Sequence, residues 1–213
     1  MPAKHLFSVH FYGWWIGVLP LLLLLAACRR TPAAQSILPA DIRLEAGDVV
    51  FRQGNGLTSR AVRAADSDGR FSHIGIVVNE NGKLKIIHAV PDEPDFQGDK
   101  DRVKMERPEL FFGLTQASCG KVMRPRNARA AQLAARKACE VYARGTLFDH
   151  TYNDRDTTSM YCCELIEHCF RAAHYPLIGP ERHHYRLPGM NFEHLMLPSD
   201  FLRSNRLATV ADF

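Results

Sequence analysis

The chain has 213 residues, a formal net charge of +4, 46% hydrophobic and 23% charged residues, which is material for one domain of ordinary size with flanking segments. Its basic runs, Arg29-Arg30 and Lys121 to Arg129, carry no interleaved aromatic stripe, which argues against nucleic acid as a partner. There is no repeat or low-complexity tract, and the composition is that of a folded globular protein.

The N-terminus comes first. Lys4 is followed by an apolar run from Trp14 to Ala27, interrupted by Pro20 and ending LLLLLAAC. The run is short for a membrane span, which needs roughly 20 apolar residues, and has the layout of a secretory signal. Leu25-Ala26-Ala27-Cys28 resembles the lipobox of bacterial lipoproteins. That resemblance implies cleavage after residue 27, lipidation of Cys28 and anchoring to the membrane, with Arg29 pointing to the periplasmic face of the outer membrane. Residues 1–27 are therefore expected to be a signal peptide, 28–46, with Pro32 and Pro39, a lipidated tether, and 47–213 the folded domain. Export leaves Cys119, Cys139, Cys162, Cys163 and Cys169, an odd number, so at least one thiol is unpaired within the chain.

Gly47 to Phe51, GDVVF, reads as an entering strand and Leu57 to Asp66 as a helix. Phe71 to Val90, FSHIGIVVNENGKLKIIHAV, has two β-branched runs around Asn81-Gly82, the strongest short hairpin signal. With those two as the turn, Glu80 pairs Lys83, Val77 faces Ile86, Gly75 faces His88 and His73 faces Val90. All lie on one face because the side-chain period is two. His73 and His88 are then diagonal neighbours with Cα atoms roughly 7–8 Å apart, and Gly75 between them offers no obstruction. The acidic run Asp92 to Asp101 reads as a solvated loop without the pattern of a calcium site. Arg126 to Gly145 reads as a helix capped by Asn127 and stopped by Gly145. His183-His184 reads as loop.

Thr157 to Phe170, TTSMYCCELIEHCF, poses the chemical question. Cys162, Leu165, Ile166, Cys169 and Ala173 form one helical stripe. Cys163 lies about 100° round on a flank with Glu167, Phe170 and His174. Ser159 is the expected N-cap, which puts Cys162 in the first turn, where unpaired N–H groups and the positive helix end favour a thiolate. A histidine packed beside that thiolate can take its proton and return it to a leaving group. A second polar residue can orient the imidazole. Cys162, His73 and His88 could fill these roles; a purely structural amphipathic helix carries equal weight on pattern alone.

GDVVF, SHIGIVV, IIHAV, FDHTYN, MYCCELI and LPSDFLRSN, in that order, together resemble the permuted papain-like amidases of the YaeF/YiiX type, circularly permuted relatives of NlpC-type cysteine peptidases. The resemblance implies an α+β, papain-like antiparallel sheet packed by helices, with the nucleophile at a helix N-terminus. It implies Cys162 as nucleophile, His73 as base and His88 as the third polar residue, where the family often has Glu. It places Cys163 where Ser is usual. Asp149 and Tyr161 match positions near the cleft, as substrate-binding residues, with Tyr161 and the Cys162 N–H as oxyanion donors. The implied activity is a cysteine amidase or peptidase working through an acyl-thioester on peptidoglycan stem peptides, or alternatively on lipid amides or esters, without cofactor or metal. A zinc module is the rival from another class, but adjacent Cys162 and Cys163 diverge on a helix and no CxxC is present. An inactive binding module is the other.

Overall fold

Asn81 and Gly82, with φ of 52° and 80°, make the two-residue turn whose positive φ values match strand twist. The turn joins β2 (His73–Glu80) to β3 (Lys83–Val90) in the expected register, Glu80 opposite Lys83 and Val77 opposite Ile86. The computed structural model describes residues 35–213, apart from 67, 156, 188 and 189 and the side chains of 186–191. The expected signal peptide and the expected lipidation site Cys28 lie outside the described residues.

The hairpin is the centre of a six-stranded antiparallel sheet. β1 (Val49–Gly54) pairs with β2, and β4 (Arg102–Glu106) pairs with β3. β5 (Ala117–Pro125) lies beside β1 and β8 (Leu207–Asp212) closes the far edge. The order is β4-β3-β2-β1-β5-β8. A separate hairpin pairs β6 (His183–Leu187) with β7 (Met190–Leu195), so His183 and His184 stand on a strand rather than in a loop. The expected α+β class is what the chain adopts.

Both faces of the sheet are covered, which is why its central strands read as nearly unbroken apolar runs. Val49, Phe51, Ile74, Ile76, Val78, Ile87 and Ala89 pack against two helices. One is α3 (Ala128–Ala143), whose N-cap Asn127 accepts the Ala130 N–H at 3.0 Å. The other is α4 (Cys162–Ala172). Gly47, at φ 96°, lets α3 approach: a Cβ there would stand 2.5 Å from the Ala131 Cβ. Val50, Val77, Ile86 and Val122 face the other way, onto Phe111 and Phe112 at the end of the short helix α2 (Pro108–Phe111).

That second face corrects the expected tether. Ile37, Leu38, Ile42 and Leu44 pack on it, and the Ile37 N–H donates to the Phe112 carbonyl at 2.9 Å. Residues 35–46 therefore belong to the domain, because four apolar side chains in that stretch complete a layer the helices do not reach.

Gly47→Ala tests the close approach. A left-handed φ and a clash with backbone at 2.6 Å are expected to cost about 2 kcal/mol or more, read as a lower midpoint in chemical denaturation.

Candidate active site

The site forms at the end of the sheet where β2 begins. His73 is the first residue of that strand, on the face of Val77, and its Nε2 lies 2.8 Å from His88 Nδ1. Gly75 permits this: a Cβ there would meet an Ile86 methyl at 2.7 Å and the His88 Cβ at 3.3 Å. The two rings sit edge to face at 5.0 Å, and both pack on Phe111, at 5.7 and 5.2 Å. His88 is fully buried.

Cys162 reaches the same place from the first position of α4. The chain bends at 157 and 158 and then runs beside Leu147, with the Met160 N–H on the Leu147 carbonyl at 2.9 Å. Ser159 is thus held in a bridge to Leu147 and cannot cap the helix. Tyr161 is the N-cap and offers no side-chain hydrogen bond, so the first-turn amides keep their positive end for an anion. His73 and Cys162 line the same cleft, and each favours the charged form of the other. With His73 Nε2 occupied by His88, the ring atom available to the sulfur is Nδ1.

The adjacent cysteines differ sharply. Cys163 is 1% exposed, whereas Cys162 is half-buried. Glu164, Glu167 and Phe170 are buried too, so α4 is packed on its flank as well as along the expected stripe. The Cys162 thiol is held well below its ordinary value, first by its hydrogen bond with Cys163, with burial opposing and His73 and the Ile74 amide adding to it. Burial, and then the neighbouring Cys162 sulfur, push the Cys163 thiol well above the ordinary range. Of the two sulfurs, Cys162 is the one whose surroundings favour the thiolate and Cys163 the one whose burial opposes it. Burial lowers His73 to about 4, against its hydrogen bond to Cys162, and lowers His88, with Arg52 and Lys104 adding to the effect.

Behind the histidines lies a buried ionic group that sequence patterns did not reveal. Arg52, 2% exposed, stacks on Phe111 at 4.7 Å, donates to the Phe111 carbonyl at 3.0 Å and pairs with Glu93. Lys104 donates to the Glu93 carbonyl at 2.5 Å and pairs with Asp95 at 2.7 Å. His88 Nε2 stands 3.1 Å from Glu106 Oε1. Burial raises the carboxyls of Glu93 and Glu106, with Arg52 pulling back. The 92–101 stretch is therefore more than a solvated loop, since it supplies the counter-ion of a buried arginine. A cation in VVFRQG, on the inward side of a strand, was the available signal that such a partner must exist.

Two lobes of a cleft meet at Cys162. One, about 310 Å³, is lined by His73, Arg52, Ser72, Asn55, Asp92 and Gln116 among others. The other, about 500 Å³, is walled by Ala65, Tyr161, Phe192, Leu195, Met196 and Pro198 among others. Both share Tyr152 and Thr58 and Val62 of α1 (Leu57–Ala65). The structure places Tyr161 in the apolar wall, where its hydroxyl accepts the Met196 N–H at 2.8 Å. Asp149 lines neither lobe. Its carboxylate accepts from the amides of Thr151 and Asn153, both at 2.7 Å, and from the Thr151 hydroxyl at 2.6 Å. This corrects the substrate-binding expectation for Asp149: its lone pairs are spent on the loop that holds Tyr152 at φ 52°. Tyr152, which sequence reasoning missed, is the residue that reaches the cleft.

Among the described residues, no three His, Cys, Asp or Glu side chains converge as metal ligands, no helix is long and apolar enough to cross a membrane, and all five cysteines are free. No protein-family profile matches the sequence, and no curated protein matches it. Among solved structures, the fold is similar to that of the metalloprotein YiiX from Escherichia coli O157:H7, a DUF1105 protein, with TM-score 0.64 and 18% identity over 81% of this chain and 99% of that one. At that identity the likeness shows a YiiX-like fold.

Alkylation by iodoacetamide separates the cysteines. Reaction at Cys162 is expected to persist below the ordinary thiol pKa of about 8.5 and to fade as pH falls through its depressed value. Cys163→Ala removes the largest cause of the depression, so the midpoint is expected to move up. An unmoved midpoint would show that Cys163 does not hold the anion.

Proposed function

We propose that this chain is a cysteine hydrolase that cleaves an amide or ester through an acyl-thioester on Cys162. The observation carrying this reading is the convergence, in one cleft, of a sulfur at an uncapped helix start with an imidazole that is itself held by a second imidazole. The Cys162 thiolate attacks the carbonyl carbon and forms a C–S bond. The developing oxyanion is met by the Cys162 N–H at the helix start. His73 protonates the departing nitrogen or oxygen as the C–N or C–O bond breaks. Water, losing a proton to His73, then attacks the thioester and frees the sulfur. His88 keeps the His73 ring in place. The permuted papain-like arrangement belongs to this same reading.

Substrate orientation follows from the lobes. His73 lines the less apolar lobe, with Arg52, Asn55, Asp92 and Gln116, and not the more apolar one, so the leaving group that needs its proton lies in the former and the acyl group in the latter. Walls of Leu, Met, Pro and aromatic side chains suit a hydrocarbon acyl chain. They suit the charged acyl side of a peptidoglycan stem peptide poorly, because its carboxylates would lose hydration without partners. This favours a lipid amide or ester over the stem peptide. A metal-binding reading, for which YiiX's description is the motive, does not fit the donor set among the described residues, and no step is routed through a metal. The proposed address is the bacterial envelope, with Cys28 as lipid anchor to the membrane. Palmitate labelling of the expressed protein that Cys28→Ala abolishes would support the anchor, and labelling that survives the substitution would remove it.

The chemistry is tested with p-nitrophenyl esters from acetate to palmitate and, in parallel, with muropeptides. An adduct of the acyl mass is expected on Cys162 and absent from Cys162→Ala. His73→Ala is expected to slow acylation by roughly 10² to 10⁴-fold. Acylation should quicken with chain length while muropeptides leave no adduct. An adduct that persists in Cys162→Ala would sink the hydrolase reading.

A further inference from the structure

The thiol proton needs a destination, and His73 holds it badly. Its ring is buried and stays neutral down to about pH 4, and Arg52 and Lys104 surround His88 with positive charge. The contacts continue past both rings. His73 Nε2 meets His88 Nδ1 at 2.8 Å. His88 Nε2 meets Glu106 Oε1 at 3.1 Å. In this last contact the ring N–H direction and the oxygen are misaligned for a well-formed hydrogen bond, yet both atoms are buried and neither has another partner. Two bare lone pairs facing each other there would carry the desolvation cost of both groups, whereas one proton between them relieves it. Register brings this about: Glu106 stands opposite Ile86 and Lys104 opposite His88, so β4 sets its carboxylate on the histidine face.

Resting on the nucleophilic role of Cys162 proposed above, we infer that Glu106 ends a proton relay Cys162–His73–His88–Glu106, in which the thiolate forms while both imidazoles stay neutral. Three protons each move one place. The S–H bond breaks as N–H forms at His73 Nδ1. The His73 Nε2–H breaks as N–H forms at His88 Nδ1. The His88 Nε2–H breaks as O–H forms at Glu106 Oε1. No proton is gained or lost, and one negative charge passes from carboxylate to sulfur. When the leaving group departs, His73 Nδ1 gives up its proton and the other two return.

In a Ser-His-Asp triad the carboxylate stays ionised beside an imidazolium. Here two rings, buried beside Arg52 and Lys104, make an imidazolium costly. The groups facing Glu106 are Arg52 from β1, His88 from β3, Lys104 from its own strand, and Glu93 and Asp95 from the loop that joins β3 to β4; Phe111 of α2 adds apolar surface against His88. Burial raises the Glu106 carboxyl, with Arg52 and Lys104 working the other way, which suits a group that must accept a proton and give it back.

Imidazole ¹⁵N NMR on the purified protein, followed through the ionisation of Cys162, reads the relay directly. Both rings are expected to stay neutral and to exchange their protonated nitrogen together as the thiolate forms. An imidazolium at His73 with an unchanged His88 would overturn the relay and leave the hydrolase reading standing if Cys162 still acylates; absence of acylation would end both. Glu106→Gln keeps the shape and cannot take the proton. It is expected to slow acylation by about 100-fold, with Glu106→Asp recovering part. A folded Glu106→Gln protein that acylates at the wild-type rate would also overturn the relay. Should that variant fail to fold, the NMR of the unaltered protein decides.

Discussion

The register of one hairpin governs the rest of the site. Asn81-Gly82 fixes the pairing of β2 with β3 at one end, and the period of two carries it to the other, where His73 and His88 touch. A slip of one residue would send one ring to the opposite face. Gly75 closes the remaining gap, since any Cβ there would wedge against Ile86 and His88. Strand β4 inherits the same register and adds Lys104 and Glu106 to the histidine face. The helix that brings Cys162 has only to end at the edge of a surface already laid out.

Burying polar groups on that surface sets an electrostatic problem that the chain resolves locally. Arg52 loses its hydration and recovers contacts from Glu93, the Phe111 carbonyl and the Phe111 ring. Removing one member of such a group leaves its partner charged and dry, which typically costs about 3–5 kcal/mol. The same low-dielectric surroundings that demand this pairing also keep His73 and His88 neutral. The ionic group and the proposed relay therefore share one assembly, and the loop from 91 to 101 is fastened to the domain by it.

What the sequence disclosed follows the range of each interaction. The His73–His88 contact was legible because turn chemistry and strand period are local rules, and so was α3 with its Asn127 cap. The choice of Cys162 as the sulfur at the helix start was legible from the 3.6-residue period. Its cap was not, since Ser159 is drawn away by a bridge to Leu147, a partner twelve residues distant. Glu93, Glu106 and Tyr152 were invisible for the same reason: each acquires its role from a side chain on another element. Strands β5 and β8 mix polar with apolar residues, in ASCGKVMRP and LATVAD, and lack the clean alternation by which strands are recognised, while RVKME of β4 alternates but is short and rich in charge.

Helix α1 walls both lobes of the cleft, yet none of its residues is buried, and Leu57 at its start is 81% exposed. His73 and His88, by contrast, hang from well-packed central strands, and Cys162 from the start of a buried helix. Substitutions along α1 thus carry less of the stability penalty that polices the core, and this wall of the cleft is free to drift in shape while His73, His88 and Cys162 stay fixed. In the hydrolase proposed above, that would separate what is cut from how it is cut, and leave only the former open to revision.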